Sequence, residues 1–522
     1  MTKNKLFFNG NIYSEKFSKI YNAVLVDNNG IIIDLFKEKH DIPLELFENS
    51  LDLEGNTVYP GFHDCHVHLE FLTKRFSEII FNEKTDKHEF LNTLKTSLKN
   101  FKKGDWIIGG GFLRKFLENM PSLAEIDRIS PDNPIFFYSK DIHSFLINSK
   151  ALEYIKDNKK LLFEKYSQKD KNGLFTGLIF EKAEDIFEEY LKTNIKNMRD
   201  NFKLTQNYFH KYGITTVHNM DDDVIADFIA EEKDNLKLNI LNYYRNPENK
   251  NNDLFLGLKL FADGSLGSLT CCMKDNFTNY DFSGIPVLNE DEIDSILKQC
   301  SKDNIDVAVH AIGDKAVSVL FNKFDKYNMR NSRIEHAQTI SDEDIVKIKS
   351  KWFSMQPLHI QGDIELSKKY LSDRINNLFR FRTILKNSGN LIFGSDVPVV
   401  EADVVKSVFW ATSRDNKSKD WNVNETISVK EALIAYTKTP AVFEKCFSGD
   451  LIKGNQADMV VLSQDMLKCD SILNTKVLMT VYKGEIVFRN IMGSNVECGI
   501  SNVELKKQER LGFGVRGSRD LF

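Results

Sequence analysis

The run Pro60-Gly-Phe-His-Asp-Cys-His-Val-His68 sets two imidazoles, His66 and His68, two residues apart. On an extended strand such a pair faces one way. Two imidazoles on one face are a natural chelate for Zn2+ or a similar divalent ion. Three other short segments also end in a side chain able to ligate a metal: Asp306-Val-Ala-Val-His310, Arg333-Ile-Glu-His336 and Leu391-Ile-Phe-Gly-Ser-Asp396. An H-x-H pair alone can be the polar end of a strand, and a lone histidine is usually a hydrogen-bonded structural residue. Three further strands ending in His, His and Asp are hard to explain by packing, and together they point to one metal site. A fifth segment, Leu256-Gly-Leu-Lys-Leu-Phe-Ala-Asp-Gly-Ser265, carries Lys259 on the face opposite Leu258 and Leu260. Burying that amine is costly unless it is paired or neutralised. Reaction with CO2 would make a carbamate able to bridge two cations; the alternative is a salt-bridged lysine that orients Asp396 or substrate.

Such a cluster needs elements that bring distant side chains to one rim. Eight strand-like segments are legible: Thr57–Phe62, Ile135–Ile142, Ile214–His218, Leu256–Ala262, Ile305–Ile312, Ser332–His336, Trp352–Met355 and Leu391–Phe393. Amphipathic stretches such as Glu290–Asn304, Ser341–Lys351 and Leu378–Ser388 separate them. Strands alternating with helices imply βαβ units and a parallel sheet. The expected fold is α/β, a (β/α)8 TIM barrel with the ligands at the C-terminal ends of its strands, the active-site face of that fold. Residues 59–449 would form it. The long spacing after the first strand implies an inserted, mainly helical subdomain over residues 70–205, placed over the barrel mouth. Short strand patterns at both ends, Asn22–Asp27 and Ile31–Ile33 early and Ala457–Leu462, Val477–Tyr482 and Glu485–Phe488 late, suggest one small β-sandwich domain built from residues 1–58 and 450–490. Phe7-Phe8 followed by Asn9-Gly10 reads as a hairpin. Residues 491–522, rich in Gly and charge, read as a C-terminal tail.

Bulk properties narrow the class. The 522 residues are 42% hydrophobic and 28% charged, as in an ordinary soluble globular protein. A formal net charge of −5, from 70 basic and 75 acidic residues, argues against a nucleic-acid binder or a membrane-surface protein. The N-terminal segment lacks the apolar core of a signal peptide, and no apolar run approaches the ~20 residues that span a bilayer. The cysteines stand at 65, 271, 272, 300, 446, 469 and 498 and form no C-x-x-C pair. That excludes a zinc ribbon and suggests reduced thiols and a cytoplasmic location. Cys271 and Cys272 read as ordinary thiols.

The stretch from Leu6 to Phe488 resembles the amidohydrolase superfamily, and within it the YtcJ-like branch that includes N-substituted formamide deformylases. The resemblance rests on Pro60–His68, on Lys259-Leu-Phe-Ala-Asp-Gly-Ser-Leu-Gly-Ser268, on His310-Ala-Ile-Gly-Asp314, on Arg333-Ile-Glu-His-Ala-Gln338 and on Gly394-Ser-Asp-Val-Pro398. Glu431–Thr437 and Gly454–Val461 add to it. By this likeness His66 and His68 take a first metal, Lys259 bridges, His310 and His336 take a second, and Asp396 touches metal and moves protons. The expected cofactor is a divalent metal, zinc foremost, as one or two ions, with Lys259 carboxylated. The expected reaction is hydrolysis of an amide, formamide or cyclic amide C–N bond by metal-activated hydroxide, with Asp396 as proton shuttle. Alternatives on the same cage are a deaminase, an ester hydrolase or a non-catalytic binding relative. Deaminases of this superfamily typically carry Glu three residues after the histidine of the fifth strand; here Gly313 stands there. Arg114, His143 and His218 are expected substrate contacts, set against purely structural roles, and His359 follows Met355-Gln-Pro357 near the mouth. The expected partner is a small-molecule substrate, in a chain that binds neither nucleic acid nor membrane and could form a homodimer.

Overall fold

The computed structural model describes residues 4–82, 85–112, 114–139, 144–180, 186–187, 190, 195–221, 223–246, 253–415 and 417–490. The described residues divide into two compact units, one holding residues 4–69 and 206–490, the other residues 70–205.

In the first unit eight parallel strands form one sheet. In chain order they are Phe62–Val67, Ile214–Asn219, Asn239–Tyr244, Phe255–Phe261, Val307–Ala311, Arg333–His336, Trp352–Met355 and Asn390–Phe393, and each pairs with the next. The eighth meets the first through a parallel bridge between Val67 and Val397 and through the amides of Asp396 and His68, which donate to His66 O (2.7 Å) and Val397 O (2.9 Å). The sheet therefore closes into a barrel, as expected, and the register fixes what shares a level. Phe261 lies beside His310, and Ala311 beside His336. Helices follow several strands, among them Glu290–Asp303, which opens on a capping box at Asn289, and Asp314–Tyr327.

One expected barrel strand is wrong. Ile135–Ser139 belongs to the second unit, where it pairs with Ile107–Phe112 and Ser144–Ile147. Asn239–Tyr244 takes the vacant place in the barrel. Its Asn-Ile-Leu-Asn-Tyr-Tyr pattern hid it, because Asn242 is a buried residue whose Oδ1 accepts from Asn219 Nδ2 at 3.1 Å. A buried amide pair reads in sequence as a break between strands.

Both chain ends build a two-sheet structure. Thr57–Pro60 pairs antiparallel with Met459–Leu462, Val58 facing Val461. The six-stranded sheet runs Glu485–Arg489, Val477–Tyr482, Met459–Leu462, Thr57–Pro60, Asn11–Ser14, Lys19–Tyr21, and a four-stranded sheet holds Lys5–Phe8 and Ala23–Val26. The expected hairpin at Asn9-Gly10 does not form, since Lys5–Phe8 and Asn11–Ser14 enter different sheets. Asn9, at φ 57°, turns the chain from one layer to the other so that Phe7 and Ile12 join one core with Val58, Val461 and Val481.

The second unit, expected to be mainly helical, combines helices with a sheet. It carries a six-stranded mixed sheet, with helices such as Lys87–Ser97 and Leu123–Ile129 and a core of Phe81, Phe90, Ile107, Ile126 and Phe137. Its strand Ile107–Phe112 contains three consecutive glycines. Gly109 is required by close approach: a Cβ there would lie 2.1 Å from Ile79 O. The proposed tail, residues 491–522, lies outside the described residues.

Gly394 has the same character at the barrel seam, where a Cβ would sit 2.6 Å from His66 N and 2.9 Å from His66 Cβ. Gly394→Ala is expected to push the eighth strand off the first and destabilise the protein by about 1–3 kcal/mol. Urea unfolding checks this; an unchanged midpoint would refute the tight seam.

Candidate metal centre

The inward side chains at the C-terminal ends of the barrel strands converge. His66 and His68 leave the first strand on one side, and their ring centroids are 5.5 Å apart. The His336 ring centroid lies 4.8 Å from that of His66, tilted, and 4.5 Å from that of His310, edge-on. Asp396 Oδ1 lies 3.4 Å from His66 Nε2 and 3.2 Å from His68 Nε2. Ligand atoms of His66, His336 and Asp396 all fall within 4.8 Å of one another. Alternation alone would not place two of these. Arg333 and Glu335 already occupy the lumen, so a regular strand would turn His336 outward. Its φ of 66° swings it back, and Asp396 is turned in the same way by a φ of 63°. Backbone strain at two positions of one cluster is the mark of a functional constraint.

Each ring is aimed by a partner on its other nitrogen. His66 Nδ1 donates to Glu335 Oε2 at 2.6 Å, His68 Nδ1 to Asp221 Oδ1 at 2.9 Å and His336 Nδ1 to Gln356 Oε1 at 2.8 Å. The Nε2 atoms are thereby committed to the interior, the arrangement that orients metal-ligating imidazoles. His310 is reversed. Its Nε2 is 3.0 Å from Gly264 O, so the nitrogen it would turn to a cation is Nδ1. Asp263 locks the adjoining loops by accepting from the amides of Ile312 (2.9 Å), Gly313 (2.8 Å) and Cys272 (2.8 Å).

The electrostatics favour uncharged rings. Burial drives His310 down to about 3, with the charge of Lys259 adding to it, and it holds His66 and His336 well below the ordinary histidine value. Burial also lowers His68, but Asp221 and Asp396 outweigh it and leave that ring raised. Lys259 is buried with no hydrogen-bond partner for Nζ among the described residues, and burial pulls it down to about 7. Its nitrogen lies 5.0 Å from the centre of the Phe261 ring. Uncharged His66, His310 and His336, the His68 ring held by Asp221, and a lysine lowered toward neutrality surround one carboxylate, a donor set suited to a cation.

Beneath the cluster runs a buried ionic chain that the sequence did not disclose. Arg333, wholly buried, places Nε 2.5 Å from Glu335 Oε1 and donates to Cys65 O at 2.6 Å and to His218 Nδ1 at 2.7 Å. His218 Nε2 then donates to Glu444 Oε1 at 2.8 Å, which also accepts from His63 Nδ1 at 2.8 Å. The expected substrate role of His218 is thus corrected, since both its nitrogens are spent inside the lumen. His143 lies outside the described residues, as does the side chain of Arg114, whose backbone opens the turn Arg114–Asn119. The spacing Arg-x-Glu-His was the available signal for the chain, because it puts a cation and an anion on the lumen face of one strand. His359, near the mouth in the sequence reading, stands beside the cluster. Its Nε2 is 3.7 Å from Asp396 Oδ2, and its ring lies nearly parallel to His336 at 6.2 Å.

The amidohydrolase family pattern matches residues 50–488, most of the chain. The chain belongs to the amidohydrolase family. It is 29% identical over 463 residues to protein LONG AFTER FAR-RED 3 of Arabidopsis thaliana, covering 79% of each chain. It is 26% identical over 491 residues to YtcJ of Bacillus subtilis (strain 168), covering 87% of this chain and 92% of that one. An N-substituted formamide deformylase of Arthrobacter pascens is 21% identical over 474 residues, with 80% and 85% covered. Among solved structures, an uncharacterized metal-dependent hydrolase from Pyrococcus horikoshii OT3 aligns with a TM-score of 0.76 and 26% identity, over 90% of this chain and 99% of that one. These relatives agree with the branch expected from the motifs, and the chain is a member of a family of metal-dependent hydrolases. No helix among the described residues is long and apolar enough to cross a membrane.

The ionic chain yields a pH prediction. Burial lowers His218 to about 4, against an ordinary value of 6.5. The unfolded state then binds more protons between those values, so the stability this neutral ring confers is lost as pH falls through that window. His218→Gln leaves Arg333 short of an acceptor and is expected to cost about 1–3 kcal/mol at neutral pH. The gap between wild type and variant should narrow on titration from pH 6.5 toward 4. A gap independent of pH in denaturant melts would exclude a neutral His218.

Proposed function

We propose that this protein is a metal-dependent hydrolase of C–N bonds in small amides, formamides or cyclic amides, with Asp396 as the proton carrier. The observation that carries this is the convergence of His66, His68 and His336 around Asp396 Oδ1, each ring held from behind by Glu335, Asp221 or Gln356. The donor set fits a divalent cation. Its rings are neutral or hydrogen-bonded to acceptors, and Asp396 Oδ1 and Lys259 Nζ are buried without a hydrogen-bond partner among the described residues. His66, His68, His310, His336 and Asp396 would hold the metal, and imidazole with carboxylate suits zinc. A divalent cation in such a site supplies Lewis acidity and brings the pKa of water to about 7.

Lys259 suits the bridging role. A buried amine near neutrality is partly unprotonated and nucleophilic, so its nitrogen can add to CO2, lose a proton and become a carbamate. Burial is the main cause of the lowering of Lys259 to about 7; Glu335 opposes it and Arg245 adds to it. In this reading Asp396 is the base that deprotonates the attacking water. It accepts that proton as the water oxygen bonds to the carbonyl carbon, then delivers it to the nitrogen as the C–N bond breaks. An amine leaves poorly without that proton, so the carboxylate serves both halves of the reaction.

The named activity of the Arthrobacter pascens relative, deformylation of N-substituted formamides, supports a carbonyl flanked by nitrogen. Steric packing weighs against the deaminase alternative. A Cβ at Gly313 would lie 2.0 Å from Cys272 O and 2.4 Å from Cys272 C, so no glutamate can occupy that place. Asp396→Asn, reconstituted with zinc, is expected to retain metal and to lose about 10²–10⁴-fold in turnover on a panel of N-formyl and N-acyl amines. Elemental analysis and steady-state kinetics check both halves, and undiminished turnover in that variant would remove the proton-carrier role.

A further inference from the structure

The helix Lys438–Glu444 meets the barrel at the end opposite the metal cluster. Its last two residues turn inward. The Phe443 ring lies 4.9 Å from that of Trp352, and Glu444 Oε1 accepts from His63 Nδ1 at 2.8 Å. Trp352 and His63 stand at the N-terminal ends of the seventh and first strands, so this is the floor of the barrel. Val442 and Phe447, on either side, are exposed, yet the Glu444 side chain is only 1% exposed. Burying a carboxylate is costly unless donors meet its oxygens. Here His218 Nε2 shares Oε1 with His63, also at 2.8 Å, and Cys446 Sγ donates to Oε2 at 3.1 Å.

An ionised carboxylate only accepts, so Glu444 obliges His218 Nε2 to carry the ring hydrogen. The other nitrogen, Nδ1, is then an acceptor, and Arg333 Nη1 donates to it at 2.7 Å. A guanidinium only donates, so the opposite tautomer would set two N–H groups against each other. Arg333 carries the constraint onward. Its Nε lies 2.5 Å from Glu335 Oε1, and Glu335 Oε2 accepts from His66 Nδ1 at 2.6 Å. His66 Nε2 is thereby the nitrogen left facing Asp396 Oδ1, at 3.4 Å. From Glu444 to His66 no link exceeds 2.8 Å, and none of the five side chains is more than 1% exposed. With no solvent to stand in, the loss of one member must be met by rearrangement of the next.

We propose that Glu444 is a positioning residue of the metal centre: from the floor of the barrel it sets the tautomer of His218 and, through Arg333 and Glu335, the direction in which His66 offers Nε2. The proposal rests on the metal-dependent reading of the rim. Glu444 itself meets neither cation nor substrate and takes no part in bond breaking. What it supplies is an acceptor, and an amide oxygen accepts as well. Glutamine should therefore serve in its place, whereas a side chain of similar length without oxygen should not.

The test uses the full chain loaded with zinc or with cobalt(II). Glu444→Met is expected to raise the zinc dissociation constant about tenfold, measured by competition with a chelator. The visible absorption bands of the cobalt(II) protein, which report ligand geometry, should shift with it. Glu444→Gln is expected to keep both near wild type. Thr480→Val is the structural control, because Thr480 is buried in the β-domain built from both chain ends, where its Oγ1 donates to His210 O at 2.6 Å. It should lower the thermal midpoint and leave affinity and spectrum unchanged. If Glu444→Met does not fold, Glu444→Asp, which withdraws the oxygens by one methylene, takes its place with the same expectation. Wild-type affinity and spectrum in the folded Glu444→Met or Glu444→Asp protein would overturn the positioning role. So would a Glu444→Gln protein that binds metal no better than Glu444→Met. If wild type binds neither ion, the metal reading itself falls, and the proposal with it.

Discussion

The ion pair between Arg333 and Glu335, sealed inside the barrel, is the interaction on which the site most depends. A guanidinium with no access to water is tolerable only if every direction is filled. Here Glu335, His218 and the carbonyl of Cys65 surround it, with the rings of Tyr243 and Phe443 at 4.7 and 5.5 Å. Because Glu335 spends one oxygen on Arg333, the other is fixed, and it holds His66. Orientation of a ligand at the rim is thus inherited from electrostatics in the lumen. Buried pairs of this kind add little net stability beside an apolar core, and removing one partner is costly. Their use here is geometric.

Much of this was legible beforehand, and for a definite reason. Ligands at strand ends leave marks that need no long-range knowledge: His66 and His68 share strand parity, and His310, His336 and Asp396 each close a short apolar or mixed strand. The barrel followed from the same repetition. What was missed depended on contacts between distant segments. Asn242 hid the third strand because its partner, Asn219, lies on another strand. Gly109 marked a close approach to Ile79, and nothing local distinguishes that from a loop. His218 looked available from its place at a strand end, and only the fold shows Arg333 and Glu444 on its two nitrogens. Glu335 was passed over as a neighbour of His336, although it is the group that aims His66.

The backbone at His336 and Asp396 adds a further constraint. Both residues leave the regular strand conformation so that two consecutive positions can serve the same interior, Glu335 from behind the cluster and His336 within it. A strand obeying simple alternation could supply one or the other. The cost of that distortion is met by the surrounding seam, where Asp64 Oδ1 accepts from Ser395 N at 2.8 Å and His66 O accepts from Asp396 N at 2.7 Å.

The antiparallel pairing of Thr57–Pro60 with Met459–Leu462 bears on how the molecule is made. Phe62, the start of the first barrel strand, follows that segment directly, and Gly61 N donates to Asp458 O at 2.8 Å. The histidines at 66 and 68 are among the first site residues to leave the ribosome, yet the scaffold that fixes their strand arrives some four hundred residues later. Contacts so distant along the chain form late and slowly. During synthesis the early imidazoles therefore wait on an unanchored strand, and the cage is assembled by the same event that joins the two ends of the polypeptide.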